Sequence, residues 1–372
     1  MKILLFLFVA TLLFSENLFK SDEDGAFDIS HYLGTRYGFL PVPTIITEPA
    51  VGYGGGVNLM FLHNTFNSIK QTKTPPSISG VFVGATENGT KGVAAYHLGF
   101  WKKDRIRTTT FVGYSDINMN FYQIDMNLKG YFGYQELMFR LKDSNFFLGA
   151  NYLYSDIDSQ REDAPSSQLS SLFKHTFKMG ATAAFVQYDS RDTIFTPSNG
   201  LFAKIILRRF DEHLGGDENF WRYGAKFFYF LPLSKELTLG LRAEGEGVTA
   251  SKDDSVPYFA NPYIIMRGIP AMRYQGEKVL LGEMQLRYEF IPRWNFVAFG
   301  GIGKAFQRDS ILETPHFDVD SIEKSSVVPA GGIGFRYELA RKFGLWGGLD
   351  FATSKEEDIS LYITVGSAWG AY

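Results

Sequence analysis

The chain has no cysteine among its 372 residues. Disulfides, thiolate metal sites, cysteine nucleophiles and acylation of an amino-terminal cysteine are therefore excluded. It also lacks any apolar run of about 18 residues after Phe14, so no transmembrane helix is expected. A surplus of one charge sign is missing too: 37 basic residues face 40 acidic ones, for a net charge of −3. Without a basic stripe, nucleic acid is not an expected partner. The six histidines are scattered, and there is no G-x-S-x-G, H-E-x-x-H or phosphate-binding glycine loop. The expectation is a protein that is not an enzyme and holds no metal or cofactor.

What is present begins with Lys2 and the apolar run Ile3 to Phe14, followed by Ser15, Glu16 and Asn17. A basic start and a short apolar core read as a secretory signal peptide over residues 1–15. Residues 16–47 then form a short periplasmic lead-in, with Gly38 to Pro43 as an extended segment. Residues 48–372 read as a single domain of strands. In Leu237 to Gly247, Leu237, Leu239, Leu241 and Ala243 alternate with Thr238, Arg242, Glu244 and Glu246. Residues 283–290 set Met284, Leu286, Tyr288 and Phe290 against Glu283, Gln285, Arg287 and Glu289. Residues 332–339 and Trp221 to Leu231 do the same. Period two is the mark of a strand with two unlike faces.

Fifteen such segments begin near residues 50, 78, 91, 105, 128, 145, 175, 200, 219, 236, 278, 294, 327, 342 and 358. Many run about ten or more residues, the length of strands tilted across a bilayer, and aromatics make up 16% of the chain. A soluble sandwich would turn its apolar face inward. Strand length, strand number and aromatic load point instead to an all-β, antiparallel, up-and-down barrel in the bacterial outer membrane. An even count gives sixteen strands, with fourteen the alternative. Short turns at Gly215–Asn219, Pro232–Glu236 and Ile291–Trp294 contrast with long polar loops at 156–173, 249–277 and 308–326.

Where the longest loop meets the next strand stand Met266, Arg267, Gly268 and Ile269. This tetrad resembles the loop signature of the bacterial surface antigen superfamily, which contains the barrel-assembly insertase and the two-partner-secretion transporters. In that family a hydrophobic–Arg–Gly–aromatic tetrad at the tip of the sixth outer loop folds back into the lumen; here Ile269 replaces the aromatic. Asp189, Arg191, Asp192, Pro197 and Gly200 resemble the family's strand–turn–strand element, read here as turn chemistry rather than a cation loop. Phe299 to Gly303 resembles its aromatic–acidic strand, with Gly301 where an aspartate is usual.

The resemblance implies a lumen loop latched by Arg267. A confined guanidinium needs carboxylate partners, and the expected ones are Glu289 first and Glu283 second. Closure is expected to pair the strand near residues 50–63 with the last one. Gly52, Gly54, Gly55 and Gly56 on that first strand either weaken the seam, which serves as a lateral gate in the family, or relieve crowding in a curved wall. The chain resembles a short, barrel-only branch without periplasmic polypeptide-transport-associated domains. Expected partners are outer-membrane lipid, client proteins or lipids, and a separate periplasmic protein. The function implied is assistance in inserting or exporting protein or lipid; a passive channel, suggested by Arg222, Lys226, Arg242, Glu244 and Glu246, is the alternative.

Two further groups complete the reading. The acidic clusters Asp22-Glu23-Asp24, Asp253-Asp254 and Asp318 to Glu323 read as solvated loops. His97 alternates with Tyr96, Leu98 and Phe100, which read as the lipid face, so it is expected to point into the lumen. An outer-membrane lipase would need a serine beside a lipid-facing histidine, and this parity places His97 on the other side.

Overall fold

The computed structural model describes residues 19–35, 37–65, 67, 74–121, 124–161, 175–251, 256–306, 327–355 and 357–369. The signal-peptide segment 1–15, the acidic clusters at 253–254 and 318–323, and most of two long loops lie outside them. Each alternating segment becomes a strand: β1 (Gly38–Ile46), β2 (Gly54–Leu62), β3 (Ile78–Thr86), β4 (Lys91–Trp101), β5 (Ile106–Phe121), β6 (Ile124–Arg140), β7 (Phe146–Arg161) and β8 (His175–Asp189). The second half holds β9 (Gly200–Phe210), β10 (Phe220–Pro232), β11 (Leu237–Ala250), β12 (Lys278–Ile291), β13 (Trp294–Phe306), β14 (Val327–Ala340), β15 (Leu345–Ser354) and β16 (Glu357–Val365). They form one 16-stranded sheet in chain order, a nearly closed antiparallel meander. No helix of the described residues is long and apolar enough to cross a membrane.

The faces are those of a membrane barrel. Outward positions are apolar and exposed, among them Ile205 (67%), Leu280, Met284, Leu286, Tyr288, Ile333, Phe351 and Ile359 (72%). Inward positions are charged and buried, among them Glu136, Lys204, Arg242, Glu244, Glu283, Arg287, Arg336 and Asp350. Short turns at 232–237, 291–294 and 341–344 share one end, and the long connections 162–174, 251–277 and 307–326 share the other. That asymmetry sets the first end toward the periplasm.

The lead-in segment needs correction, because Gly38–Ile46 is the first strand rather than a linker. Its prolines hid it from a strand reading. The glycines assigned to the seam therefore move inward in the order: Gly54, Gly55 and Gly56 lie in β2, paired on both sides with β1 and β3, and Gly52 lies before β2, with φ +76°. Gly54 and Gly56 are both crowded: a Cβ would stand 2.2 Å from the Ala85 carbonyl oxygen at Gly54 and 2.5 Å from the Val83 carbonyl oxygen at Gly56.

The seam edge belongs to β1, and among the described residues no ladder joins it to β16. Pro41 and Pro43 sit opposite Leu59 and Val57 within an unbroken β1–β2 register. A proline keeps its place in a paired strand when its nitrogen faces away from the partner. Both prolines share one parity, so the edge they strip of N–H donors is the seam edge.

Residues 19–35 pack against the periplasmic ends of β12–β15 and β1–β2. The Arg293 guanidinium donates to both Asp24 oxygens (2.6 and 3.0 Å) and to Asp28 (2.9 Å). Arg341 donates to Glu23 (2.9 Å), and the Tyr337 hydroxyl donates to the Phe27 carbonyl (2.7 Å). A single short helix, α1 (Ser30–Thr35), follows. Its Leu33 packs in one cluster with Leu40 and Leu62 from β1–β2 and Ala340 from β14, so it touches strands on both flanks of the seam. Two members of the first acidic cluster, Glu23 and Asp24, are thus ion-paired rather than merely solvated.

Candidate functional site

The loop between β11 and β12 is the sixth outer connection, and it turns back into the lumen. Met266 and Ile269 are 4% and 3% exposed and join Ile264, Val279, Leu281, Ala305 and Val328 in one apolar cluster on the inner wall of β12–β14. The Ile269 amide donates to the Met266 carbonyl (3.1 Å), closing a tight turn at the tip. Ile269 fills the apolar position that an aromatic holds in the resembled motif. Gly268 has φ +89°, and a Cβ there would lie within 2.9 Å of the Thr353 backbone. Its amide donates to the Tyr362 hydroxyl on β16 (3.0 Å). Only glycine suits that approach.

This turn aims Arg267 at the wall. Nη1 donates to Asp350 Oδ2 (2.8 Å), and Nη2 donates to Gln285 Oε1 (2.9 Å) and Glu283 Oε1 (3.2 Å). The guanidinium carbon stands 3.5 Å from the Phe299 ring centroid, a cation–π arrangement. Asp350, fully buried, also accepts two bonds from Arg336 at 2.7 Å. Glu283 accepts from Arg242 at 2.8 Å, and Arg242 donates to Glu244 at 2.8 Å. Arg242, Arg267 and Arg336 thus face Glu244, Glu283 and Asp350, a balanced set. Balance is what permits six charges in a confined lumen.

Of the two expected partners, Glu283 meets Arg267 and Glu289 does not. Glu289 lies six residues further along β12, about 20 Å at a strand's rise, and its carboxylate accepts the Arg293 amide at the periplasmic turn (3.2 Å). The sequence reading missed Asp350. Its signal was there: a lone acid between Leu349 and Phe351 on an alternating strand must face inward. Gly334 lies opposite it in register, and a Cβ there would come within 2.0 Å of Asp350 Oδ1. The acid absent at Gly301 is thus supplied two strands away.

The strand–turn element is placed at the β8–β9 connection. Arg191 pairs with Asp189 (2.8 and 3.0 Å), and the Asp192 carboxylate accepts the Thr193 and Ser198 amides. Pro197 is buried, and Gly200 has φ +106°. These carboxylates are occupied by Arg191 and by turn amides. Among the described residues no group of three or more His, Asp and Glu side chains could hold a metal ion. The lumen charges that suggested a channel are also paired: Arg222 with Glu246, and Lys226 with Glu244 at 3.7 Å.

The placement of His97 is corrected. Exposed Val81 and Val83 on β3 share parity with Ser79, and Ser79 lies opposite His97 in register. His97 therefore faces outward, while Tyr96 turns inward and its hydroxyl donates to Asn58 (3.1 Å). Gly80 makes room for the inward ring, standing where a Cβ would come within 2.4 Å of Tyr96.

Comparison with known proteins agrees with this architecture. The family model described as the Omp85 superfamily domain matches residues 85–263. No curated protein matches the chain by sequence. Among solved structures, BamA from Haemophilus ducreyi lacking POTRA domains 1–3 superimposes with TM-score 0.63 at 13% identity, covering 89% of this chain and 70% of that one. CdiB from Acinetobacter baumannii gives TM-score 0.55 at 10% identity, covering 88% of this chain and 59% of that one. CdiB from Escherichia coli gives 0.54 at 12%, covering 93% and 65%. This chain thus spans less than two thirds of either CdiB. The chain is an outer-membrane β-barrel whose residues 85–263 match the Omp85 superfamily domain.

Proposed function

We propose that this barrel assists the insertion or export of protein or lipid through its β1–β16 seam, with the sixth outer loop latched in the lumen by Arg267. The observation that carries the reading is the seam: sixteen strands in order, and a first strand whose free edge carries Pro41 and Pro43. A β-barrel in lipid normally has no open edge, because unpaired backbone groups are costly there. An edge held below full pairing suits a wall that opens. The loop contact fits the same reading, since Arg267 and Gly268 tie the loop to β15 and β16 beside the seam. Clients and a periplasmic partner would meet the barrel at its lower rim, near segment 19–35.

The absence of native cysteine allows a direct test. Cysteine pairs placed between Leu40–Ile46 and Ile359–Val365 should lock the seam on oxidation and reproduce the cellular phenotype of deleting the gene, with recovery on reduction. A locked barrel that supports every phenotype would overturn the reading. The channel alternative is read from conductance of the reconstituted protein: low and flickering in wild type, larger in Arg267→Ala, for a latched loop; large, steady and indifferent to the substitution for a plain pore.

A further inference from the structure

The outward wall of β2–β6 breaks its own rule. Val57, Leu59, Val81, Val83, Val93 and Val112 are apolar and exposed, as lipid requires. Toward the periplasmic end, however, one register row reads Phe61, Ser79, His97, Thr110 and Gln135 across five strands. The Ser79 hydroxyl lies between two imidazoles, 2.8 Å from His63 Nε2 and 2.8 Å from His97 Nδ1. A hydroxyl so placed donates to one ring and accepts from the other. Thr110 donates to Gln135 (2.7 Å) along the same row. Polar side chains on a lipid-facing wall cost several kcal/mol unless they bond among themselves. This group does, and its members sit in the geometry of a nucleophile and its base.

Depth adds a second argument. Ser79 is one residue from the periplasmic end of β3, and His97 is four from that of β4. At ~3.4 Å per residue along a tilted strand, the cluster lies within about 10 Å of the rim. Trp101, 5.9 Å from the His97 ring, marks the interface where amphipathic aromatics gather. In a bilayer that depth holds the glycerol ester linkages of the periplasmic leaflet.

We infer that Ser79, with His97 and His63, forms an acyl-transfer site on the outer wall that takes the ester bond of a membrane glycerolipid. The Ser79 oxygen bonds to the ester carbonyl carbon as its proton passes to an imidazole nitrogen. The acyl–oxygen bond then breaks, and that proton leaves on the glycerol hydroxyl. Water next attacks the acyl-serine, giving its proton through the imidazole back to Ser79. The products are a fatty acid and a lysolipid. The site is separate from the lumen loop and from the seam function, and neither reading depends on the other.

The test uses the whole purified chain reconstituted in vesicles of phosphatidylethanolamine and phosphatidylglycerol. Expected results are covalent labelling of Ser79 by a fluorophosphonate, located by mass spectrometry of the wild-type protein, and release of free fatty acid. Ser79→Ala should abolish both, and His97→Phe should slow release on the order of 10²–10⁴-fold, the usual share of a general base. Heat-modifiable gel mobility reports whether each variant keeps its barrel. No label on wild-type Ser79, or release that persists in a folded Ser79→Ala, overturns the inference. The wild-type labelling stands even where a variant does not fold.

Discussion

Arg267 and Asp350 are 83 residues apart in the chain and 2.8 Å apart in the lumen, joining the sixth outer loop to the penultimate strand. Asp350 is shared with Arg336, whereas Arg267 shares Glu283 with Arg242. The two ends of the pair are therefore unequal. Asp350→Asn leaves two buried arginines short of a counter-charge, an expected loss of about 3–5 kcal/mol. Arg267→Ala leaves each carboxylate with another arginine and should cost less. Urea titration of the reconstituted barrel, followed by tryptophan fluorescence, would rank the two; equal or reversed costs would contradict the sharing seen here.

Gly268 and Gly282 offer a matched pair of glycine-to-alanine changes. Gly268 has φ +89° and meets the Thr353 backbone within 2.9 Å, while Gly282 has only the Arg242 carbonyl oxygen, 3.9 Å away. Gly268→Ala should undock the loop tip and expose residues 256–277 to added protease. Gly282→Ala should leave the digestion pattern unchanged.

Acid should release segment 19–35 from the periplasmic rim. The hydrogen bonds from Arg293 hold Asp24 down from 3.8 to about 2. Burial pushes Asp28 up, but bonds from Ser30 and Arg293 outweigh it and lower it overall. A depressed carboxylate contributes stability above its unfolded pKa and loses it as pH falls through the folded value. Hydrogen exchange of residues 19–35 should therefore be slow at neutral pH and accelerate between about pH 4 and pH 2. In the double variant Asp24→Asn, Asp28→Asn it should already be fast at neutral pH. Protection that ignores both acid and the variant would show that Leu33 packing alone holds the segment.

The two faces of β9 predict opposite responses at adjacent residues. Ile205 faces lipid at mid-strand, whereas Lys204 points inward to Glu136 at 3.3 Å. Arginine at Ile205 should cost about 2–4 kcal/mol of folding free energy in a bilayer. Lys204→Arg keeps the charge inside and should cost less. Folding titrations into lipid vesicles would measure both.

Much of this was readable from alternation alone. Fifteen strands start within four residues of the positions set by period two, because each carries a lipid face and a lumen face that differ in chemistry. β1 escaped, since Pro41 and Pro43 mask a strand that needs only one paired edge. The His97 face was misread for a related reason: aromatic does not mean outward in a barrel whose ends are packed. Phe202, Phe228 and Phe230 are buried inside with Trp369, and Tyr96 turns inward beside Gly80. The loop tetrad was legible because an arginine must find acids. Which acid it found depends on strand stagger, and that emerges only when β12 to β15 are set in register.

The two prolines of β1 carry a kinetic consequence. A guest strand adding to that edge meets acceptors along its length but finds donors missing at two alternate positions. It gains enough bonds to be held in register, yet fewer than a full ladder would supply, and dissociation rates are where such differences are felt. The edge is thereby suited to brief occupancy and turnover, not to permanent capture.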